Sequence, residues 1–308
     1  MKLSLFDLHA DTAWAMYQTK QPLGSNSLAI SLEKAQKFDR YIQTMALWTS
    51  PNLNDDEGYQ HLLCMVENLK NDPSIAGGEA ELCSTCPKEA AQKPSLMLSV
   101  EDARVLDGRI ERVAELADLG VRSVIPMWSG ETCIGGSHNT NVGLTDFGKR
   151  AAREMLAHGM ILDISHASIE SSKDVFELSA THGKPVIASH SNAYAICGVS
   201  RNLQDWQIDA IVASGGIIGI NLYRAFLEKD GNATLDSILR HIEHFLSRGA
   251  ENLLCLGCDM DGAELLDDIP DLSYLDRLAE HLSANGYSQE LIHQFFFKNA
   301  FNFAQKHF

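Results

Sequence analysis

Apolar residues recur along the chain in eight short runs, and stretches with helical spacing lie between several of them. The runs are short enough for strands and are bounded by turn-forming residues, which is the pattern of buried β-structure. They occupy residues 3–9, 41–48, 95–101, 121–128, 160–166, 185–191, 215–222 and 252–259. Strands that alternate with helices over 308 residues predict an α/β protein, specifically a (β/α)8 TIM barrel.

The helical stretches have recognisable boundaries. They are expected over residues 146–159, 168–183, 235–249 and, at the close of the chain, 289–305. The first of them begins at the capping candidates Thr145 and Asp146 and ends at Gly159. The chain contains no Pro- or Ser-rich linker and no low-complexity tract, so we predict a single barrel domain over residues 1–308.

Ionisable residues stand at the carboxyl ends of five predicted strands. They are His9 with Asp11, Glu101, His166, His190 and Asp259, after the first, third, fifth, sixth and eighth strands. A doubly wound open sheet would gather such residues at one switch point, whereas these residues follow strands from the first to the last of the eight. In a barrel all those ends meet at one mouth, which favours the barrel over the open sheet.

This set of three imidazoles and three carboxylates has the chemistry of a metal site. Asp7, His9 and Asp11 are spaced two residues apart, so we expect all three on one face of the first strand. His9 alone could be a hydrogen-bonded turn residue and Glu101 alone could begin a helix. Six ligands are too many for one tetrahedral ion. They suit two divalent ions, for which we expect Zn²⁺, that share a bridging carboxylate. Asp261 is interpreted as structural.

Other patterns in the sequence are weaker indications of a functional site. Cys83 with Cys86 and Cys255 with Cys258 imitate a four-cysteine zinc site, but the two pairs are far apart in the chain, and the second pair should point to opposite faces of a strand. The glycines of "SGGIIGIN" lack the context of a dinucleotide loop. His138 lies in a glycine-rich loop near the predicted mouth. Seven further histidines are expected to be solvated: His158, His182, His241, His244, His281, His293 and His307.

Composition narrows the class of partner. The net charge of −16 and the pI near 5.1 argue against nucleic acid or an anionic membrane as partner. No apolar segment approaches the roughly 18 residues of a membrane span, and no leader precedes His9, so we predict a cytoplasmic protein. Seven cysteines, an odd number, fit reduced thiols rather than a disulfide framework.

Longer motifs make the chain resemble the membrane (renal) dipeptidase family of metallopeptidases, in the amidohydrolase superfamily. The motifs are "FDLHADT", "LSVEDA", "GLTDFGKRAAREMLAHGMILDISHAS", "PVIASHSNAYAICGVSRN" and "LGCDMDG". The resemblance implies one zinc held by His9, Asp11 and Asp259, a second held by His166 and His190, and Glu101 bridging the two. It also implies that Arg201 binds the substrate's terminal carboxylate, for which a planar guanidinium is suited.

The chain departs from the family pattern after the fourth strand. Characterised members carry a histidine there that contacts the scissile carbonyl oxygen, whereas this chain carries Trp128. Indole donates only one N–H and has no positive charge. Stabilisation of the oxyanion is therefore expected from a metal ion or from His138.

The predicted function is zinc-dependent hydrolysis of dipeptides with a free C-terminal carboxylate, by a hydroxide that bridges the two ions. Asp259, as proton carrier, and Glu101 are the catalytic candidates. One alternative is a binuclear amidohydrolase that acts on an ester, a lactone or a cyclic amide. Another is a catalytically silent metal-binding barrel, which would require an incomplete ligand set, although all six positions are filled. A homodimer is a candidate assembly.

Overall fold

The computed structural model describes residues 2–88 and 91–308, and their strands form one parallel sheet. The strands are β1 (Leu5–Ala10), β2 (Tyr41–Trp48), β3 (Glu81–Leu82), β4 (Ser95–Glu101), β5 (Val121–Ile125), β6 (Ile161–Asp163), β7 (Val186–Ile187), β8 (Ile218–Ile220) and β9 (Leu254–Leu256). Eight of them follow the order β7-β6-β5-β4-β2-β1-β9-β8. A parallel bridge between Ala188 and Ile218 joins the two ends of this order. The result is the predicted (β/α)8 barrel, and the short β3 lies beside the start of β4.

Helices surround the barrel. They are α1 (Thr12–Thr19), α2 (Leu32–Ala35), α3 (Asp55–Lys70), α4 (Pro73–Ala76), α5 (Arg112–Asp118), α6 (Asp146–Ala157), α7 (Ile169–Thr181), α8 (Asp205–Ser214), α9 (Arg224–Leu227), α10 (Leu235–Ser247), α11 (Asp276–Ala284), α12 (Gln289–His293) and α13 (Asn299–His307). Thr145 caps α6 as predicted, because its hydroxyl accepts the N–H of Gly148 at 2.9 Å. A π-helical turn, Gln294–Lys298, joins α12 to α13. Within the described residues, no helix has both the length and the apolarity needed to cross a bilayer.

Several strands end earlier than the sequence pattern predicts. The strands that precede His166, His190 and Asp259 each end three residues before these side chains. His166 and Asp259 adopt left-handed backbone conformations, with φ of 72° and 61°. A residue in that conformation cannot continue a strand. The polar residues therefore occupy the first turns after the strands rather than their last positions.

The expectation that Asp7, His9 and Asp11 share one face is wrong. In the pairing of β1 with β2, Asp7 is opposite Gln43 but Ala10 is opposite Met45, so β1 contains one extra residue between these pairs. Such a bulge reverses the alternation of side chains. Asp7 consequently lies on the same side as Ala10 and on the opposite side from His9.

The amino-terminal end of the barrel is filled by apolar residues and covered by the end of the chain. Phe6, Ile42 and Met97, all fully or nearly buried, belong to one cluster with Phe297 and Phe301 of the C-terminal segment. Burial of these aromatic side chains stabilises this end of the barrel. The polar residues gather at the opposite, carboxyl end.

Candidate metal centre

The structure brings all six predicted ligands to the mouth of the barrel. The Nε2 atom of His9 lies 3.3 Å from Glu101 Oε2, 3.8 Å from Asp259 Oδ1 and 4.0 Å from Asp11 Oδ2. The other oxygen of Glu101, Oε1, lies 3.0 Å from His166 Nε2 and 3.6 Å from His190 Nε2. The two oxygens of Glu101 thus face two different groups of side chains.

These separations fit tetrahedral coordination. A tetrahedral zinc ion with ligand bonds of about 2.0–2.1 Å holds its ligand atoms roughly 3.3 Å apart. His166 Nε2 and His190 Nε2 lie 3.0 Å from each other, and both are close to Glu101 Oε1. The donor atoms are therefore spaced as ligands of a shared ion would be.

Hydrogen bonds behind the cluster orient the imidazole of His166. Its Nδ1 lies 3.0 Å from the carbonyl oxygen of Trp128. Since a carbonyl only accepts, Nδ1 carries the proton and Nε2 of the neutral ring presents a lone pair. His190 Nδ1 lies 2.8 Å from Ser189 Oγ, a hydroxyl that is able to accept its proton. An outer hydrogen bond of this kind is the usual support of a metal-binding histidine.

The electrostatics of the site call for added positive charge. Burial and the carboxylate of Glu101 raise the pKa of Asp11 well above its usual range. Burial also raises the pKa of Asp259, and Glu101 adds to this against the opposing effect of His9. Burial by itself would lower the pKa of His9, but Glu101, Asp11 and Asp259 outweigh it and raise that pKa to about 10. A divalent cation would supply the positive charge that balances these buried carboxylates.

Unpaired buried atoms provide an independent test of the fit to a cation. Four side-chain atoms of the cluster have no hydrogen-bond partner among the described residues: His9 Nδ1, His9 Nε2, Asp11 Oδ1 and Glu101 Oε2. His9 is completely buried and Glu101 is 2% exposed. Buried polar atoms without partners are costly, and three of these four can be metal ligands. The residues present therefore fit divalent metal ions.

Because Gly262 has no side chain, the carboxylate of Asp11 can lie directly against its backbone. A Cβ at Gly262 would lie 1.9 Å from Asp11 Oδ2 and 3.0 Å from Asp259 Oδ1. Only glycine allows the backbone to pass this close to both carboxylates. The sequence alone gives no sign of this contact, which depends on residues 251 positions apart in the chain.

We predict that Gly262→Ala lowers the content of bound metal from two ions to one per chain. The added methyl group displaces Asp11. It therefore disturbs the donor group formed with His9 more than the donor group formed with His166. Metal analysis of the purified variant measures this. Gly198→Ala is the control for adding a methyl group to a glycine, because a Cβ there would lie 3.7 Å from its nearest neighbour, Tyr194, which is an ordinary van der Waals contact. Two tightly bound ions in Gly262→Ala would contradict the prediction.

Several supporting residues were not predicted from the sequence. Asn221, which follows β8, donates a hydrogen bond of 3.0 Å to Asp259 Oδ2. Asp163 accepts the backbone N–H groups of Ser165 and Ser189, which directly precede His166 and His190. An aspartate inside an apolar strand, as in "ILDISH", is the signal that could have revealed Asp163. Asp261 is structural as expected, because it accepts hydrogen bonds from Thr12 and from the N–H of Ala29.

The predicted substrate-binding residues lie around the cluster at different places. Arg201 is buried beside His190, and its guanidinium donates to His190 O and Ser191 Oγ at 3.1 Å, while its Nε has no hydrogen-bond partner within residues 2–88 and 91–308. Trp128 lines a cavity of about 400 Å³ that opens onto the cluster. His138 lies in a neighbouring cavity shared with Arg201, and its ring is 6.0 Å from that of His166. Burial, reinforced by Arg201, lowers the pKa of His138 to about 4, so its ring is neutral near pH 7.

The two cysteine pairs do not form a second candidate metal site. Cys255 packs in the cluster at the amino-terminal end of the barrel, whereas Cys258 belongs to the core between barrel and helices, on opposite faces as expected. In residues 2–88 and 91–308, the groups whose donor atoms are close enough to share an ion contain no cysteine. The mouth of the barrel is therefore the candidate metal centre.

Comparisons with known proteins agree with this geometry. The sequence profile of the membrane dipeptidase family, peptidase family M19, matches residues 1–306. An uncharacterized protein in the pqqA 5' region of Klebsiella pneumoniae is 34% identical over 248 residues, which cover 75% of this chain and 90% of that protein.

Two solved structures are similar over their full length. One is a metallo peptidase from Rhodobacter sphaeroides, liganded with a phosphinate mimic of the dipeptide L-Ala-D-Ala, with a TM-score of 0.91, 25% identity and 100% coverage of both chains. The other is dipeptidase AC, a metallo peptidase of family M19, with a TM-score of 0.91 and 26% identity, covering 100% of this chain and 99% of that one.

Proposed function

The chain belongs to the membrane dipeptidase family, peptidase family M19, and is a dipeptidase; on this premise we propose that it cleaves dipeptides with a free C-terminal carboxylate by means of two divalent ions. We expect these ions to be Zn²⁺. The observation that carries the proposal is the position of Glu101, whose two oxygens face separate groups of donors at 3.0–3.6 Å. A carboxylate in that position is suited to bridging two ions.

The assignment of ligands follows the two faces of Glu101. His9, Asp11 and Asp259 would hold one ion, His166 and His190 the other, and Glu101 would bridge them. Ions bound there would lower the pKa of a coordinated water and polarise the scissile carbonyl.

Asp259 is the proposed proton carrier. We propose that its carboxylate takes the proton from the attacking water and delivers it to the leaving amine. Its Oδ2 accepts a hydrogen bond from Asn221, which fixes the plane of the carboxylate against the floor of the cavity. A carrier held in one orientation needs no rearrangement between the two transfers.

Arg201 is the proposed anchor for the substrate's C-terminal carboxylate. Its guanidinium is buried, and its Nε atom has no hydrogen-bond partner in the part of the chain that the structure describes. A carboxylate can accept from a guanidinium through two parallel hydrogen bonds. Because Arg201 bonds to the backbone of His190, an anchor this close to the metal cluster favours short peptides over long polypeptides.

Trp128 and His138 would contribute in different ways to substrate binding. Trp128 occupies the sequence position at which characterised members of the family carry a histidine that contacts the scissile carbonyl oxygen. Its indole has one N–H and no positive charge. His138 is neutral near pH 7 and its Nδ1 lies 3.0 Å from Ser200 Oγ. Stabilisation of the oxyanion is therefore assigned chiefly to the metal ions.

A substrate panel with and without metal tests this proposal. We expect hydrolysis of dipeptides, loss of at least 99% of the activity after removal of metal by a chelator, and recovery on addition of Zn²⁺. N-acetylated and C-amidated dipeptides control for the need for free termini, and the amidated form should be a poor substrate. Hydrolysis of esters or lactones without hydrolysis of any dipeptide would contradict the proposal and favour a different amidohydrolase chemistry.

Three further expectations stay predictions. They are the single domain over residues 1–308, the cytoplasmic location and the homodimer.

A further inference from the structure

Three of the four tryptophans of the sequence lie together at the mouth of the barrel. Trp14 and Trp48 are in edge contact, with ring centroids 5.2 Å apart and an interplanar angle of 86°. Trp48 and Trp128 are in similar contact, at 5.4 Å and 69°. We call these three residues the aromatic wall. All three line the cavity whose floor includes Asp11, Glu101 and Asp259.

Each residue of the aromatic wall is held by backbone next to a metal-ligand candidate. Trp48 is the last residue of β2 and the register partner of Glu101 in β4. Trp14 lies one helical turn after Asp11, and Trp128 accepts a hydrogen bond from His166 through its carbonyl oxygen. The wall is therefore held next to the reaction site by the same backbone that places the ligands.

Trp48, the middle residue of the aromatic wall, lies across the mouth from the proposed carboxylate anchor. In the order of eight strands, β2 is four places from β7, which is the position diametrically opposite in the closed barrel. Arg201 bonds to the backbone of His190, just after β7, and its guanidinium lies 5.6 Å from the ring of Phe226. A dipeptide anchored at Arg201 and extended over the metal cluster would place its N-terminal residue at Trp48.

We infer that the aromatic wall binds the N-terminal side chain of the substrate, and that the preferred substrates are dipeptides with a large apolar or aromatic N-terminal residue. This inference rests on the proposed function, because Arg201 sets the direction of the peptide. Indole rings bind apolar and aromatic side chains by burial and by edge-to-face contact. The carboxylates of Asp261 and Glu264, which also line the cavity, disfavour an acidic side chain in the same place.

A comparison of three dipeptides tests the inference. The substrates are Phe-Ala, Ala-Ala and Ala-Phe, each with the configuration at the second residue that the enzyme cleaves faster. We expect kcat/KM for Phe-Ala to exceed that for Ala-Ala by about tenfold or more. Ala-Phe should show no comparable gain. Equal values for Phe-Ala and Ala-Ala, or a larger gain for Ala-Phe, would overturn the inference and leave the dipeptidase proposal intact.

Variants of the wall show whether these residues cause the preference. Trp48→Ala should lower the ratio of kcat/KM for Phe-Ala over Ala-Ala to within about threefold of one. Trp206→Ala is the matched control, because the fourth tryptophan packs against Phe176 on the outer helices α7 and α8, with ring centroids 6.0 Å apart. It should keep the wild-type ratio. If Trp48→Ala does not fold, Trp14→Leu provides the same test, and an unchanged ratio contradicts the inference.

Binding separates this inference from the proposed function. Absence of cleavage of every dipeptide would overturn the proposed function but not decide the role of the wall. In that case, quenching of indole fluorescence by Phe-Ala and by Ala-Ala gives the two dissociation constants. Tighter binding of Phe-Ala in the wild type, lost in Trp48→Ala, supports the wall as the binding site. Equal affinities contradict it.

Discussion

Replacement of Asp259 by asparagine should lower kcat by about 10³-fold and leave the fold unchanged. Asparagine has nearly the same size but cannot take a proton from water or return it to the leaving amine. Positioned acid–base groups typically contribute about 10²–10⁴-fold to the rate. Steady-state kinetics on a good dipeptide substrate measures the loss, and circular dichroism checks the fold.

The control for this substitution is Asp39→Asn, which removes a carboxylate from the exposed surface of the same chain. It should keep the wild-type kcat. Metal analysis must accompany both variants, because Asp259 is also assigned as a ligand. A kcat close to that of the wild type in Asp259→Asn, with two ions bound, would exclude the proton-carrier role.

Replacement of Glu101 by glutamine should remove both ions and nearly all activity. Each oxygen of Glu101 faces a different group of donors, so the amide leaves each ion without one charged ligand. The amide nitrogen would also turn an N–H toward one of the ions. We expect less than half an ion bound per chain and at least a 10³-fold loss of kcat/KM, a magnitude typical of lost metal catalysis.

Metal analysis after dialysis and assays with added Zn²⁺ measure these two effects. Glu81→Gln is the matched control, because Glu81 lies in β3, beside the start of β4 and outside the mouth of the barrel. It should bind two ions and keep its activity. If Glu101→Gln retained both ions, Glu101 would not be the bridge between them.

The convergence of the six residues could be predicted because it follows from topology. Parallel strands in a closed barrel place all their carboxyl ends at one mouth, whatever the separation along the chain. His9 and Asp259 are 250 positions apart, yet their side-chain atoms are 3.8 Å apart. The apolar runs located the strands, and the polar residues after each run located the mouth.

The details that failed depend on single residues of backbone. One extra residue in β1 turned Asp7 away from His9, and hydrophobic alternation gives no sign of such a bulge. The left-handed conformations of His166 and Asp259 ended their strands early. A left-handed conformation is uncommon for residues other than glycine, so the pattern predicted longer strands.

The expectation that His241 is solvated is wrong. The side chain is completely buried, its Nδ1 accepts the N–H of Ala193, and its Nε2 lies 3.1 Å from the carbonyl oxygen of Leu227. On α10 it lies three residues after Ile238 and one before Ile242, which are both on the buried face of that helix. A histidine on the apolar face of a strongly amphipathic helix was the available signal.

The aromatic wall and the contact of Gly262 with Asp11 could not be derived from the sequence. Both depend on side chains from different strands, and their residue types have ordinary structural uses in isolation. Only the departure at Trp128 was visible beforehand. The structure adds that this indole has two aromatic neighbours at the mouth of the barrel.

We propose that six side chains, which lie at or after the ends of five strands, hold a pair of divalent cations. Calorimetric titration of metal-free protein with Zn²⁺ tests it most directly. We expect saturation at two ions per chain in the wild type, and loss of both binding events in Glu101→Gln. Saturation at one ion or fewer in a fully folded and active wild-type enzyme would contradict it.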